Sequence, residues 1–201
     1  MNKIRLAGCV TTEPTYSHEC FGEKFYEFYL QVLRKSNNAD TLKCIVPEVL
    51  KDGISQFEGI EIVGEIRTRN YDRADGTRGC EVFVFVTETA EYLDEDVNEA
   101  TFNGFICKEP KFRETPLGRQ ICDVLIASNR EKSNRSDYIP CITWGRTALR
   151  VAQMSIGTKI EVVGRLQSRE YIKHLEDDTE ETRVAYEVSV ITVKECETDG
   201  V

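Results

Sequence analysis

The 201-residue chain runs through one succession of segments twice. KIRLAGCVTTEP, ending at Pro14, lines up with EATFNGFICKEP, ending at Pro110, and Gly8 falls on Gly104 at an offset of 96. FYEFYLQVLR, ending at Arg34, falls on ICDVLIASNR, ending at Arg130, at that same offset. DTLKCIV (40–46) meets DYIPCIT (137–143) at offset 97, and IEIVGEIRTRNY (60–71) meets IEVVGRLQSREY (160–171) at offset 100. EVFVFV (81–86) meets EVSVIT (187–192) at offset 106. The offset only grows, so the halves share one order of elements, with small insertions in the second. A duplication of this length means two copies of one folding unit. The seam lies in the acidic stretch EYLDEDVNEA (91–100), which gives expected domains at 1–93 and 99–197.

Each half reads mainly as strands. Ile4, Leu6, Gly8 and Val10 alternate with polar residues; so do Tyr26, Phe28, Leu30 and Val32, then Ile60, Ile62, Gly64 and Ile66, and finally Val82, Val84 and Val86. A period of two with β-branched and aromatic residues marks half-buried strands. Between the third and fourth strands each half has one helix-compatible segment, PEVLKDGISQF (47–57) and GRTALRVAQMS (145–155). In the latter, Ala148, Val151, Ala152 and Ser155 share a helical face. Five strands and one short helix in about 100 residues fit an all-β chain of two tandem OB-fold Greek-key barrels. A different antiparallel sandwich is the alternative. Gly64 and Gly164 sit mid-strand, where glycine lets a barrel strand bend sharply.

Composition narrows the chemistry. The charged fraction is 30% and the hydrophobic fraction 40%, as in ordinary soluble proteins, and no apolar run approaches a membrane span of about 18 residues. A cytoplasmic protein is expected. The eight cysteines form no CxxC pair, and most stand in apolar runs, where reduced thiols pack as small hydrophobes. With only His18 and His174 besides, no zinc-ligand spacing can be read. GxSxG, HExxH and GxxxxGK[ST] are all missing, so neither an enzyme nor a cofactor is expected.

The second half concentrates aromatics and cations. Tyr138 and Trp144 bracket DYIPCITW six residues apart, so a strand places them on one face and Asp137, Ile139, Cys141 and Thr143 on the other. Tyr171 closes the next strand. Around them stand Arg130, Lys132, Arg135, Arg146, Arg165, Arg169 and Lys173. Aromatic platforms among cations suit a sequence-tolerant binder of single strands, because every base offers a π-face. The alternative places Tyr138 and Trp144 in the core or against the helix. Although the net charge is -9, residues 99–173 hold 13 Lys and Arg against 8 Asp and Glu, whereas 1–71 holds 9 against 10.

PKFRETPLGRQICDVLIASNR, DYIPCITWGRTALRVAQ, GTKIEVVGRLQSREYIK and AYEVSVITVKEC together resemble a bacterial single-stranded DNA-binding protein over about 101–196. The first half resembles that family more weakly, through NKIRLAGCVTTEP, FYEFYLQVLR and VGEIRTRNYD. The resemblance implies an OB barrel that binds single-stranded DNA, with stacking at Tyr138, Trp144 and Tyr171 and basic contacts from Arg113, Arg130, Lys132, Arg146, Arg165 and Arg169. It also implies a four-barrel assembly, reached here by a homodimer. In the first half Thr41 and Pro47 replace Tyr138 and Trp144, and Tyr71 alone keeps its stacking type, so weaker DNA binding is expected there. The terminal KECETDGV lacks the family's acidic, phenylalanine-ended tip, and HLEDDTEETR (174–183) is acidic where a DNA-wrapping loop favours cations. These departures, with the negative total, leave a protein-interaction module as the competing reading. The aromatics Phe21, Phe25, Tyr26, Phe28 and Tyr29 serve either the first barrel's own core or an assembly surface.

Overall fold

A computed structural model describes residues 1–72, 76–131, 133–174 and 179–196, without the side chains of Lys173 and His174. The first half runs β1 (Asn2–Val10), β2 (Thr15–Cys20), β3 (Glu23–Leu33), β4 (Ala39–Pro47), α1 (Glu48–Lys51), β5 (Gly59–Asp72) and β6 (Arg78–Glu91). The second runs β7 (Val97–Ile106), β8 (Lys111–Glu114), β9 (Gln120–Asn129), β10 (Ser136–Trp144), α2 (Gly145–Val151), β11 (Lys159–His174) and β12 (Glu180–Glu195). In space the first half orders as β2-β3-β4-β6-β5-β1, and a β3–β1 pairing closes the ring. All its ladders are antiparallel except β4 with β6, which pair in parallel at Cys44↔Val84 and Ile45↔Phe85. The second half repeats this with β7–β9 as the closure and β10 parallel to β12 at Cys141↔Val188. These are two five-stranded Greek-key barrels of the OB type.

The alternation read from the sequence is what fills them. Ile4, Leu6, Phe28, Leu30, Ile62, Ile66, Val84 and Val86 are fully buried, as are Phe102, Ile126, Ile139, Ile160, Val162 and Val188. Each such side chain contributes about 1.5–3 kcal/mol by leaving water. Closure needs a strand that bends, and it bends at the glycines the pattern singled out. The β5–β6 register slips between Val63 and Gly64, and the β11–β12 register between Val163 and Gly164. A Cβ at either glycine would strike a backbone carbonyl, that of Phe85 or of Ser189.

The structure departs from the sequence reading at three places. Each barrel carries a sixth strand, β2 or β8, at the sheet edge. Both are solvated on both faces, all four β8 residues being exposed, so they show no alternation to detect. The helices are shorter than 47–57 and 145–155. α1 ends at Lys51 and buries none of its residues. α2 buries Ala148 and Val151, then tightens through Gln153 N–H to Arg150 O (3.2 Å) and Met154 N–H to Val151 O (3.0 Å). Ser155 consequently lies beyond the helix and is exposed. Finally, the tight turn before β5 places Phe57 at φ 67, where its repeat has Gly157 at φ 90.

The barrels join through one sheet. β1 pairs antiparallel with β7, Ile4 opposite Ala100 and Leu6 opposite Asn98, which makes twelve continuous strands. Two buried carboxylates secure the junction with approximate twofold symmetry. Asp137 is fully buried and takes the Arg130 guanidinium at 2.7 and 2.8 Å; it also accepts the Thr68 N–H of the first barrel at 2.7 Å. Asp40, also fully buried, pairs with Arg34 and accepts the Ser168 N–H of the second barrel at 2.8 Å. Thr68 Oγ1 in turn accepts the Tyr138 N–H, and Ser168 Oγ the Thr41 N–H. The connection itself is tied down: Tyr92 O–H donates to Asp96 at 2.6 Å, and Asp96 accepts the Leu33 N–H.

Candidate nucleic-acid interface

The outer face of β10 is the feature to build from. Barrel closure turns Asp137, Ile139, Cys141 and Thr143 inward, and all four are buried. Tyr138 and Trp144 therefore point outward, 45% and 38% exposed, which removes the core alternative for both rings. The Trp144 indole N–H donates to Ser189 Oγ at 3.3 Å, fixing one edge while part of the ring meets solvent. Between the two rings, at Pro140, opens a groove of about 410 Å³. Lys108, Lys111, Arg113 and Arg169 line it, together with Glu109, Asp123 and Glu187. A strand rise of about 3.3 Å puts Tyr138 and Trp144 roughly 7 and 13 Å from Pro140. The groove thus has cations at its centre and a flat ring toward each end.

The predicted site residues divide by position. Arg113 and Arg169 come together in the groove, with Arg113 on Asp123 at 2.7 Å and Arg169 3.8 Å from Glu187. The Arg169 guanidinium also lies 5.7 Å from the Tyr171 ring centre, and Arg183 reaches the same tyrosine. Arg146 is exposed at the start of α2 and takes no ion pair among the described residues. Arg130 and Arg165 stand at the barrel junction instead. Hydrogen bonding to Asp137 raises the Arg130 pKa, while burial and then the neighbouring Arg34 lower that of Arg165, 3.9 Å from Asp40. Lys132, the side chain of Lys173 and the tip of the acidic hairpin (175–178) lie outside the described residues. Sequence reasoning missed Lys108 and Lys111; their signal was weak because one precedes and the other opens the unpatterned edge strand β8.

The first barrel presents the matching face with different chemistry. Lys43 occupies the place of Pro140 and is gripped by Glu27 (2.9 Å) and Glu81 (2.8 Å). Arg69 shares Glu81 at 2.6 Å, and Arg67 pairs with Glu65 while its guanidinium lies 3.8 Å above the Phe85 ring. Burial pushes the Glu81 carboxyl up, but the hydrogen bonds and charges of Lys43 and Arg69 outweigh it and hold the carboxyl below its ordinary value. Beside the position of Trp144, Phe25, Ile45 and Phe83 form a separate buried cluster. Of the other first-half aromatics, Phe28 fills the core, Tyr26 packs against it, and Phe21 projects fully into solvent. Tyr71, 46% exposed, lies across Gly79.

Residues 97–195 match the family model of the single-strand binding protein family, from the start of β7 to the end of β12. The whole second barrel is thus similar to that family. Among curated members, single-stranded DNA-binding protein A of Bacillus subtilis is 37% identical over 81 residues, 37% of this chain and 47% of that protein. The single-stranded DNA-binding protein of Oceanobacillus iheyensis is 32% identical over 110 residues, 52% of this chain and 66% of that one. The chain therefore spans roughly half to two thirds of these single-strand binding relatives. The wild-type single-stranded DNA binding protein from Thermus aquaticus superposes over 100% of this chain and 95% of its own, with a TM-score of 0.78 and 18% identity. At that identity the likeness is one of fold, and it spans both barrels.

Among the described residues no three His, Cys, Asp or Glu side chains are grouped to hold a metal ion, and no helix is long and apolar enough to cross a membrane. All eight cysteines are free thiols, with Cys44, Cys122 and Cys141 buried.

Proposed function

We propose that the protein binds single-stranded DNA without sequence preference and protects unpaired strands during replication, repair or recombination in the cytoplasm, beside the nucleoid. The carrying observation is the outer face of β10, where Tyr138 and Trp144 are exposed on either side of a groove lined by Lys108, Lys111, Arg113 and Arg169. Stacked bases contribute about 1–3 kcal/mol each, and phosphates meet the cations. The second barrel, about 99–197, supplies most of the affinity; the first, about 1–93, binds more weakly because its groove cations are already held by Glu27 and Glu81. Tyr171 and Arg146 extend the second barrel's surface, whereas Arg130 and Arg165 serve the junction. Two chains associate as a homodimer and present four barrels.

Titrating oligo-dT while following the fluorescence of Trp144, the one tryptophan of the chain, tests this reading. Quenching that weakens steeply between low and moderate salt is expected. The absence of both quenching and a gel shift at low salt would leave the protein-interaction reading in its place.

A further inference from the structure

The first barrel's face is not closed by its own residues alone. A cleft of about 440 Å³ opens there, with Tyr29, Lys43, Arg69, Tyr71 and Glu81 on the first-barrel side and Tyr186 of β12 entering from the second barrel. Tyr186 is partly buried, packs against the core, and has Tyr29, Lys43 and Glu81 among the groups acting on its hydroxyl. Its repeat partner is Cys80, so the duplication carries a ring on one side of the junction and a small thiol on the other.

We propose that this cleft is a composite nucleotide subsite that takes one unpaired base among Tyr29, Tyr71 and Tyr186. The inference rests on the DNA-binding reading above and adds to it a site that neither barrel has alone. Three observations carry it. The volume lies in the range of about 300–1,000 Å³ typical of pockets that enclose small ligands. Three tyrosines from three strands, β3, β5 and β12, line one space, and a tyrosine offers a base a broad apolar face at little conformational cost. The cations that could reach a phosphate, Lys43 and Arg69, already share Glu81, so attraction here comes from stacking more than from charge. A strand leaving the second barrel's groove would thereby meet a weakly salt-dependent hold at the junction, set by Tyr186 against the first barrel.

Photo-cross-linking separates this site from the main groove. Full-length protein is irradiated with oligo-dT carrying 5-iododeoxyuridine, at low and at moderate salt, and the modified peptides are identified. Adducts on the peptides of Tyr29, Tyr71 or Tyr186 that persist at moderate salt are expected. Tyr186→Ala should weaken binding of long oligonucleotides by roughly 5- to 150-fold. It should leave Trp144 quenching by the shortest binding oligonucleotide unchanged, and Tyr186→Phe should retain parent affinity. Adducts confined to Tyr138, Trp144 and Tyr171, or a Tyr186→Ala variant equal to the parent, would overturn the subsite and leave DNA binding standing. Absence of both Trp144 quenching and a gel shift in the parent at low salt would overturn both.

Discussion

Trp144 and Tyr138 share a strand face yet rest on different supports, and their substitutions should read differently. Trp144 is steadied by one side-chain hydrogen bond to Ser189, whereas Tyr138 hangs from a backbone that the first barrel's Thr68 also holds. Replacing either by alanine should weaken oligonucleotide binding by about 1–3 kcal/mol, with Tyr71→Ala costing less; equilibrium titrations of the three variants check the ranking. Arg146→Ala should flatten the slope of log affinity against log salt by about 0.7, the increment expected for one phosphate on a single strand. Glu81 governs a different observable. Its folded-state pKa is depressed, so its stabilising effect is fully present above the ordinary value of 4.5 and fades as pH falls through the lowered one. Acid unfolding followed by circular dichroism should therefore lose part of its pH dependence below about 4.5 in Glu81→Gln.

Among the elements, β10 and β5 depend on each other through Asp137. Asp137→Ala would strand Arg130 at a mostly buried position and unpair the Thr68 N–H, a combination that costs about 3–5 kcal/mol. Urea unfolding of the variant should show that loss. The removal of an exposed pair such as Arg78–Asp72 should cost under about 1 kcal/mol. The buried strands were legible in the sequence because period-two alternation is written into residues such as Ile60, Ile62 and Ile66, which must all face one core. β2 and β8 were illegible for the converse reason: edge strands wet on both faces impose no period. The role of Arg130 was hidden too. An arginine seven residues before an aspartate says nothing of burial, and only the closed barrel brings the first barrel's backbone to the same carboxylate.

At the scale of the whole molecule, the duplication was visible in the residues alone, but the manner of joining was not. No pattern within β1 or β7 announces that they will pair with each other, since both already alternate correctly for their own barrels. Nor does Tyr186 signal from its position that it reaches the other repeat's face. Light scattering across micromolar concentrations should give twice the chain mass if two copies associate; a single-chain mass would remove the four-barrel arrangement. The β1–β7 ladder has a consequence for life at low abundance. Because one covalent chain supplies both strands, their pairing is unimolecular and dilution cannot separate them. Nor can a second copy's β1 or β7 readily exchange into this pair, for the strand edge it would need is already taken.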